Sequence, residues 1–248
     1  MRLFGLIGYP LGHSFSKKYF SEKFDREGIA DARYELFPIE NIAALHVLLA
    51  ERPELSGLNV TIPHKQAVIP LLHALDETAR AVGAVNCIRI KNGRLEGFNT
   101  DVTGFENSLR AIEAGKWTTG GTTALVLGTG GASRAVAFVL KKLGIPFRFV
   151  SRESDGENRI SYEAMARIPS GEYHLLINTT PLGMAPNTDT CPALPFEQLS
   201  SQHLVYDLVY NPVETLLLQR AKARGCAVKN GLEMLHLQAD AAWQIWNS

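Results

Sequence analysis

The chain has 248 residues, of which 46% are hydrophobic, 20% are charged and 21 are glycines, as in an ordinary globular α/β protein. Its 25 basic and 25 acidic residues cancel, which argues against the basic surface of a nucleic-acid partner. Polar residues interrupt every apolar stretch, so we expect no membrane partner. Cys87, Cys191 and Cys226 lack a paired spacing and the histidines lack ligand spacing. We therefore expect a reducing cytoplasmic location and no metal.

Strand-like and helix-like segments alternate along the first hundred residues, which predicts an α/β fold with parallel sheets and crossover helices. The predicted strands span residues 3–8, 33–38, 57–62, 84–90 and 94–99, and the predicted helices 16–28, 42–50, 66–72 and 77–82. Asn92-Gly93 is typical of a tight turn, so the last two strands are predicted to form a hairpin.

The alternation restarts after Asp101. It predicts strands at 123–127, 147–150, 175–178 and 204–207, and helices at 102–114, 132–143, 213–224 and 232–246. The last helix has no strand after it, so we expect it to pack back on the first domain. The predicted domains are therefore residues 1–101 together with the helix 232–248, and residues 102–231.

A glycine-rich loop lies between an apolar strand and an apolar helix and reads Gly-Thr-Gly-Gly-Ala-Ser from residue 128 to 133. The first glycine permits a tight turn, the second lets the backbone approach a pyrophosphate, and the helix N-terminus supplies N–H groups. A flexible turn is the alternative, but the strand–loop–helix context favours a dinucleotide. The predicted contacts are Gly128, Thr129, Gly130, Gly131 and Ala132.

The next strand ends in Ser151-Arg152, where an NAD enzyme usually has an acidic residue for the ribose hydroxyls. Ser151 removes the charge that would repel a 2′-phosphate, and the Arg152 guanidinium can bind one. A solvated surface arginine is the alternative, and Glu153 and Asp155 lie close in sequence. The pair favours NADP over NAD as the cofactor.

Hydroxyls and amides recur at the ends of the first domain's strands. Ser14 and Ser16 follow the first strand, where they are able to hold a carboxylate or to cap a helix. Asn59 and Thr61 share one face of the third strand, which is unexpected unless they line a cleft. Lys65 follows as a candidate proton carrier, although a lone lysine is more often a surface charge. Asn86 and Asp101 end two later apolar stretches.

These motifs occur in an order that resembles the shikimate dehydrogenases. Along the chain they read GxPxxHSxS, NVTxPxK, GAVN, GxNTD, GxGGA, INTTPLGM, DLVYNP and GLEMLxxQA. The resemblance covers almost the whole chain. It implies an open N-terminal α/β substrate domain, a Rossmann-like NADP domain and a cleft between them.

The resemblance also implies roles for individual residues. Lys65 and Asp101 would form the catalytic pair, while Ser14 and Ser16 would hold the substrate carboxylate. The remaining substrate contacts would be Asn59, Thr61, Asn86, Tyr210 and Gln238. The remaining cofactor contacts would be Asn178, Thr179, Thr180, Leu208 and Gly231. Glu233 stands where the family usually has glycine, and the sequence assigns it no role.

The predicted reaction is the reversible NADPH-dependent reduction of 3-dehydroshikimate to shikimate, a step of chorismate and aromatic amino-acid biosynthesis. The predicted enzyme is a monomer or a homodimer that acts on a small molecule. Two alternatives stay open. One is a quinate/shikimate dehydrogenase of relaxed specificity, and the other is a non-catalytic relative that binds nucleotide or shikimate. The presence of both Lys65 and Asp101 counts against the second, because a binding protein needs no proton carrier.

Overall fold

The computed structural model describes residues 1–12, 15–118, 120–153 and 158–248, apart from the side chains of residues 113–115. It divides the chain into two compact units. The first unit comprises Met1–Thr103 and Gln238–Ser248, and the second comprises Gly104–Leu237. Among the described residues, no helix has both the length and the apolar character that crossing a membrane would need.

The first unit contains a six-stranded sheet. Its strands are β1 Arg2–Gly8, β2 Ala32–Pro38, β3 Leu55–Val60, β4 Ala74–Leu75, β5 Cys87–Lys91 and β6 Arg94–Phe98. Its helices are α1 Phe15–Glu27, α2 Leu45–Glu51, α3 His64–Ala67 and α4 Glu77–Val82, with short 3-10 segments at Ile42–Ala44 and Ile69–Leu71. A further helix, α5 Thr100–Ala111, begins in this unit and continues into the second, where a 3-10 segment follows at Ile112–Thr118.

The strand order of this sheet is β2-β1-β3-β5-β6-β4. The first three strands are parallel, as predicted, but β5 runs antiparallel to both β3 and β6, so the sheet is mixed. Asn92 and Gly93, at φ 53° and 74°, form the predicted turn between β5 and β6. The predicted hairpin is therefore confirmed, and its two strands are joined by a tight turn and not by a crossover helix.

Successive side chains point to opposite faces of this sheet, apart from an irregularity at the start of β3 where its register with β1 shifts. Leu3, Ile7 and Leu58 lie on one face, packed with residues of α2 and α4. Phe4 and Tyr34 lie on the other, with aromatic residues of α1 and Trp246. A β-carbon at Gly57 would overlap the Trp246 indole, whose N–H donates to the Ile88 carbonyl at 3.0 Å.

The second unit has six parallel strands in the order β9-β8-β7-β10-β11-β12. They are β7 Ala124–Leu127, β8 Phe147–Val150, β9 Arg159–Ile160, β10 Leu175–Asn178, β11 Leu204–Asp207 and β12 Ala227–Lys229. Its helices are α6 Gly131–Lys142, α7 Tyr162–Met165, α8 Leu216–Lys222 and α9 Leu232–Trp246, of which α9 runs on into the first unit from Gln238. Short 3-10 segments lie at Ser170–Glu172 and Phe196–Gln198.

The chain enters this sheet at its centre, builds β7, β8 and β9 outward on one side, and then returns to build β10, β11 and β12 on the other. This order is that of the doubly wound dinucleotide-binding fold, in which ligands bind at the carboxyl ends of the strands where the order reverses. The reversal here lies between β7 and β10. The predicted α/β fold with two sheets and a Rossmann-like second unit is therefore confirmed.

Candidate active site

Lys65 and Asp101 form an ion pair in the first unit. The Lys65 Nζ lies 2.5 Å from the Asp101 Oδ2, and the two side chains are only 18% and 9% exposed. Lys65 is in the single turn α3, which follows β3 through Pro63. The turn is held in place because His64 Nε2 lies 2.5 Å from the Ile39 carbonyl and the Lys65 carbonyl accepts from the Val85 N–H.

Asn86 orients the other oxygen of this carboxylate. Its Nδ2 donates to the Asp101 Oδ1 at 2.8 Å and to the Thr100 Oγ1 at 3.0 Å. Its Oδ1 accepts from the Thr100 backbone N–H at 2.7 Å. Both ends of the Asn86 amide are therefore engaged by the protein, and a ligand that reached it would replace one of these bonds. No role was predicted for Thr100, although it stands inside the GxNTD motif beside Asp101.

Gln238 joins the same group of side chains from α9. Its Oε1 lies 3.4 Å from both the Asn86 Nδ2 and the Thr100 Oγ1. Gln238 and Asn86 are both nearly buried. The structure thus brings together four predicted site residues, Lys65, Asp101, Asn86 and Gln238, although they come from four separate segments of the chain.

The other predicted substrate residues of the first unit lie in or after β1 and β3, and they differ in burial. Asn59, near the end of β3, is buried and bonds to the Asn86 carbonyl at 3.3 Å through its Nδ2. Thr61 is half-buried just beyond β3, and its methyl group lies against Gly8. Ser16 is half-buried near the start of α1, whereas Ser14 lies outside the described residues.

The arrangement around Lys65 is suited to moving a proton at an oxygen atom. A carboxylate has about four lone-pair positions, of which Lys65 and Asn86 use one each. The remaining capacity lets Asp101 accept from a substrate hydroxyl, while Lys65 is close enough to exchange a proton with the same oxygen. The low exposure of the pair limits competition from water.

The glycine loop of the second unit joins β7 to α6 as predicted. Gly128 has φ +100°, a conformation that favours glycine, and a β-carbon there would press on Thr179 and Thr180. Gly130 has open space where a β-carbon would stand and precedes α6 with no side-chain cap on the helix. The loop therefore presents bare backbone at a helix N-terminus, as a pyrophosphate site requires.

A buried polar network lies at the carboxyl ends of β10 and β11. Asn178 donates to Asp207 at 2.9 Å and accepts from the Thr180 N–H and Oγ1. Asp207 also accepts from the Val209 N–H at 3.0 Å and the Thr215 hydroxyl at 2.6 Å. Burial raises the pKa of Asp207, and these hydrogen bonds offset part of the rise. No role was predicted for Asp207, although it begins the DLVYNP motif.

The backbone of Leu208 packs directly against Gly231. A β-carbon at Gly231 would overlap the Leu208 carbonyl, so only glycine fits this position. Tyr210, two residues after Leu208, is half-buried, and burial raises the pKa of its phenol. The predicted cofactor residues Leu208 and Gly231 are thus in contact at the end of β11.

Glu233 has a structural explanation. Its carboxylate pairs with Lys229 at the end of β12 and accepts from the Ser108 hydroxyl at 3.1 Å. Ser108 in turn accepts from the buried Tyr206 hydroxyl at 2.8 Å. The hydrogen bond from Lys229 holds the pKa of Glu233 below its ordinary value. The acidic residue therefore ties the start of α9 to α5 and β11.

Ser151 and Arg152 follow β8. The Ser151 hydroxyl donates to the Glu153 carbonyl, and the Arg152 side chain is exposed. Burial raises the pKa of the Tyr162 phenol, and the nearby Arg152 charge opposes that rise. Arg152 is thus accessible to a ligand at the carboxyl end of β8.

Comparisons with known proteins identify the family of this chain. A profile described as the shikimate dehydrogenase substrate binding domain matches residues 6–88. A protein of Geobacillus kaustophilus named shikimate dehydrogenase (NADP(+)) is 40% identical over 99% of this chain and 92% of its own length.

Two solved structures also cover 99% of the chain. One is a chorismate mutase/shikimate 5-dehydrogenase fusion protein from Clostridium acetobutylicum, with 35% identity, 90% of its own chain covered and a TM-score of 0.87. The other is the Thermus thermophilus shikimate 5-dehydrogenase in complex with NADP(H) and shikimate, with 34% identity, 93% covered and a TM-score of 0.86. The chain belongs to the shikimate dehydrogenase family.

Proposed function

We propose that this protein catalyses the reversible conversion of 3-dehydroshikimate, NADPH and a proton into shikimate and NADP⁺. The observation that carries the proposal is the 2.5 Å contact between Lys65 and Asp101, held in place by Asn86. A protein that only bound shikimate would not need a paired proton carrier. The reaction belongs to the supply of chorismate for aromatic amino acids.

The described residues of the second unit fit NADP. Gly128, Thr129, Gly130, Gly131 and Ala132 would hold the pyrophosphate, because bare backbone and an uncapped helix start there. Ser151 and Arg152 would take the 2′-phosphate. Asn178, Thr179, Thr180, Leu208 and Gly231 would border the nicotinamide riboside. When bound, the cofactor supplies or accepts the hydride.

The side chains of the first unit would supply the proton and hold the ring. In reduction, Lys65 gives a proton to the oxygen of the reacting carbon, and in oxidation it takes that proton back. Asp101 accepts from the reacting hydroxyl and keeps Lys65 in place.

The other polar residues would fix the position of the substrate. Ser14 and Ser16 would bind the carboxylate, and Asn59, Thr61, Asn86 and Gln238 would bind the ring hydroxyls. Tyr210 would close over the bound ligand. The domain assignment is part of the proposal, with residues 1–101 and the last helix binding substrate and residues 102–231 binding NADP.

The proposal includes a cytoplasmic enzyme that acts as a monomer or a homodimer. The three free thiols of Cys87, Cys191 and Cys226 support a reducing compartment. Sedimentation equilibrium of the purified chain measures its oligomeric state directly.

The test is a steady-state assay of the purified chain with shikimate and quinate, each with NADP⁺ and with NAD⁺. Quinate carries a hydroxyl on a saturated carbon beside the carboxylate, and an unpaired buried hydroxyl costs about 1–3 kcal/mol. We therefore expect kcat/KM for shikimate to exceed that for quinate by roughly 5- to 150-fold. Comparable values would make the protein a quinate/shikimate dehydrogenase, and no turnover of either acid would refute the proposal.

A further inference from the structure

Tyr34 is a buried polar residue that the proposed mechanism does not use. It lies in β2, is 3% exposed, and stacks on the Phe20 ring of α1 with centroids 4.6 Å apart. A hydroxyl in such a place is costly unless it is hydrogen-bonded. Here the phenol donates to the Asn59 Oδ1 at 2.8 Å.

The register of the sheet explains how β2 reaches β3. Both strands pair with β1, which lies between them, and Tyr34 is opposite Phe4 while Asn59 is opposite Leu6. Positions two residues apart on a strand share a face, so Tyr34 and Asn59 point to the same side of the sheet. The long tyrosine side chain spans the intervening strand on that side.

The hydrogen bond fixes which end of the Asn59 amide is available to a ligand. The Oδ1 atom is occupied by Tyr34, and the Nδ2 group carries two hydrogens, of which the Asn86 carbonyl takes one at 3.3 Å. A ligand at Asn59 therefore meets an N–H donor and not a carbonyl. Without the phenol, the Asn59 oxygen would be buried with no donor and the amide would be held by one long bond.

The same phenol also lies near a second predicted substrate residue. Burial raises the pKa of Tyr34, and the neighbouring Ser16 hydroxyl partly opposes that rise. Tyr34 is thus close both to a residue expected at the carboxylate of the ligand and to one expected at its hydroxyls.

We propose that Tyr34 is a positioning residue for substrate, which acts by holding the Asn59 amide with its N–H group towards the bound ring. The inference rests on the proposed function, since it assumes that Asn59 binds shikimate. It predicts that the Tyr34 hydroxyl affects the binding of shikimate and leaves the proton-transfer pair and the cofactor site unchanged.

The experiment compares Tyr34→Phe, Asn59→Ala and the double variant with the wild type. Phenylalanine keeps the ring that stacks on Phe20 and removes only the hydroxyl. For Tyr34→Phe we expect the KM for shikimate to rise roughly 5- to 100-fold, the range for losing one buried hydrogen bond. The values of kcat and of the KM for NADP⁺ should change less than about threefold. In the double variant, Tyr34→Phe should add little to Asn59→Ala, because residues that act as a unit are not additive.

Tyr173→Phe is the matched control. Tyr173 is equally buried in the second unit, and among the described residues its hydroxyl has no hydrogen-bond partner. Removing that hydroxyl should leave both KM values unchanged. Asn59→Asp tests separately whether the ligand needs the Asn59 N–H group, because aspartate keeps an oxygen for Tyr34 but has no N–H to donate. This variant should raise the KM for shikimate as Asn59→Ala does.

Three results would overturn the inference. They are an unchanged KM in folded Tyr34→Phe, an unchanged KM in Asn59→Asp, and full additivity in the double variant. Each of these leaves wild-type turnover intact and therefore leaves the proposed function standing. A wild type that does not turn over shikimate overturns both the function and the inference.

Discussion

Replacement of Lys65 by methionine tests the proposed chemistry most directly. Methionine keeps much of the side-chain length and removes the ammonium. Asp101 stays oriented in this variant, since Asn86 still donates to its Oδ1 at 2.8 Å. We therefore expect the substitution to affect proton transfer more than the arrangement of the site.

The expected loss in kcat is about 10²- to 10⁴-fold, the range for removal of a general acid–base group, or roughly 2.7–5.4 kcal/mol of activation free energy. The substitution also leaves the Asp101 carboxylate without its cation. Breaking a fully buried pair costs about 3–5 kcal/mol. Because the Lys65 side chain is 18% exposed, we expect a smaller loss of unfolding free energy, about 2–3 kcal/mol.

The assay follows NADPH formation at saturating shikimate and NADP⁺, with thermal unfolding measured in parallel. Lys222→Met is the control, because Lys222 forms an ion pair with Glu214 in which its side chain is 68% exposed. Asp101→Asn should also be severely impaired, and adding it to Lys65→Met should cost little more. A folded Lys65→Met enzyme with wild-type kcat would refute the assignment of Lys65 as proton carrier.

Three further predictions concern the second unit. Arg152→Ala should raise the KM for NADP⁺ roughly 10- to 150-fold and leave that for NAD⁺ nearly unchanged, and equal weakening of both would contradict a phosphate contact. Burial raises the pKa of Glu106, but hydrogen bonds from two basic neighbours outweigh it and lower the pKa below the ordinary 4.5. Glu106→Gln should therefore lower the unfolding free energy by about 1–2 kcal/mol at neutral pH. A carboxyl group whose pKa is lowered in the folded state stabilises the fold fully only at pH values above its unfolded pKa, so the difference in unfolding free energy should shrink as the pH falls below 4.5. A difference that does not depend on pH would refute the electrostatic cause. Gly231→Ala should cost about 1–3 kcal/mol of stability and raise the KM for NADP⁺, whereas Gly120→Ala, with open space around it, should do neither.

For elements with strong local sequence signals, the predicted first and last residues agree with the structure. The helix Glu77–Val82 begins after Asp76, whose side chain accepts from the Thr78 and Ala79 N–H groups, and ends at Gly83 with φ +67°. The strands Leu175–Asn178 and Leu204–Asp207 are uninterrupted apolar runs that become fully buried. In each case a capping residue or a continuous buried face sets the boundary.

Elements that depend on distant partners were missed. The strands β4, β9 and β12 have two or three residues each, too few to show a period. The predicted helix 213–224 starts at Leu216, because Thr215 caps it while its hydroxyl donates to Asp207. The sequence around Thr215 does not predict this bond, because Asp207 lies at the end of β11 and is brought close by the fold.

The same distinction applies to the candidate site. The resemblance identified which residues to consider, but the hydrogen bonds between them decide what each side chain offers to a ligand. Tyr34 takes the oxygen of Asn59, Thr100 takes that of Asn86, and Gln238 receives bonds at its own oxygen. The amide oxygens are therefore used within the protein. Asp101 is different, since it keeps lone pairs after bonding Lys65 and Asn86. Among these side chains, a ligand hydroxyl that must donate a hydrogen bond is directed to Asp101, beside the one ammonium able to move its proton.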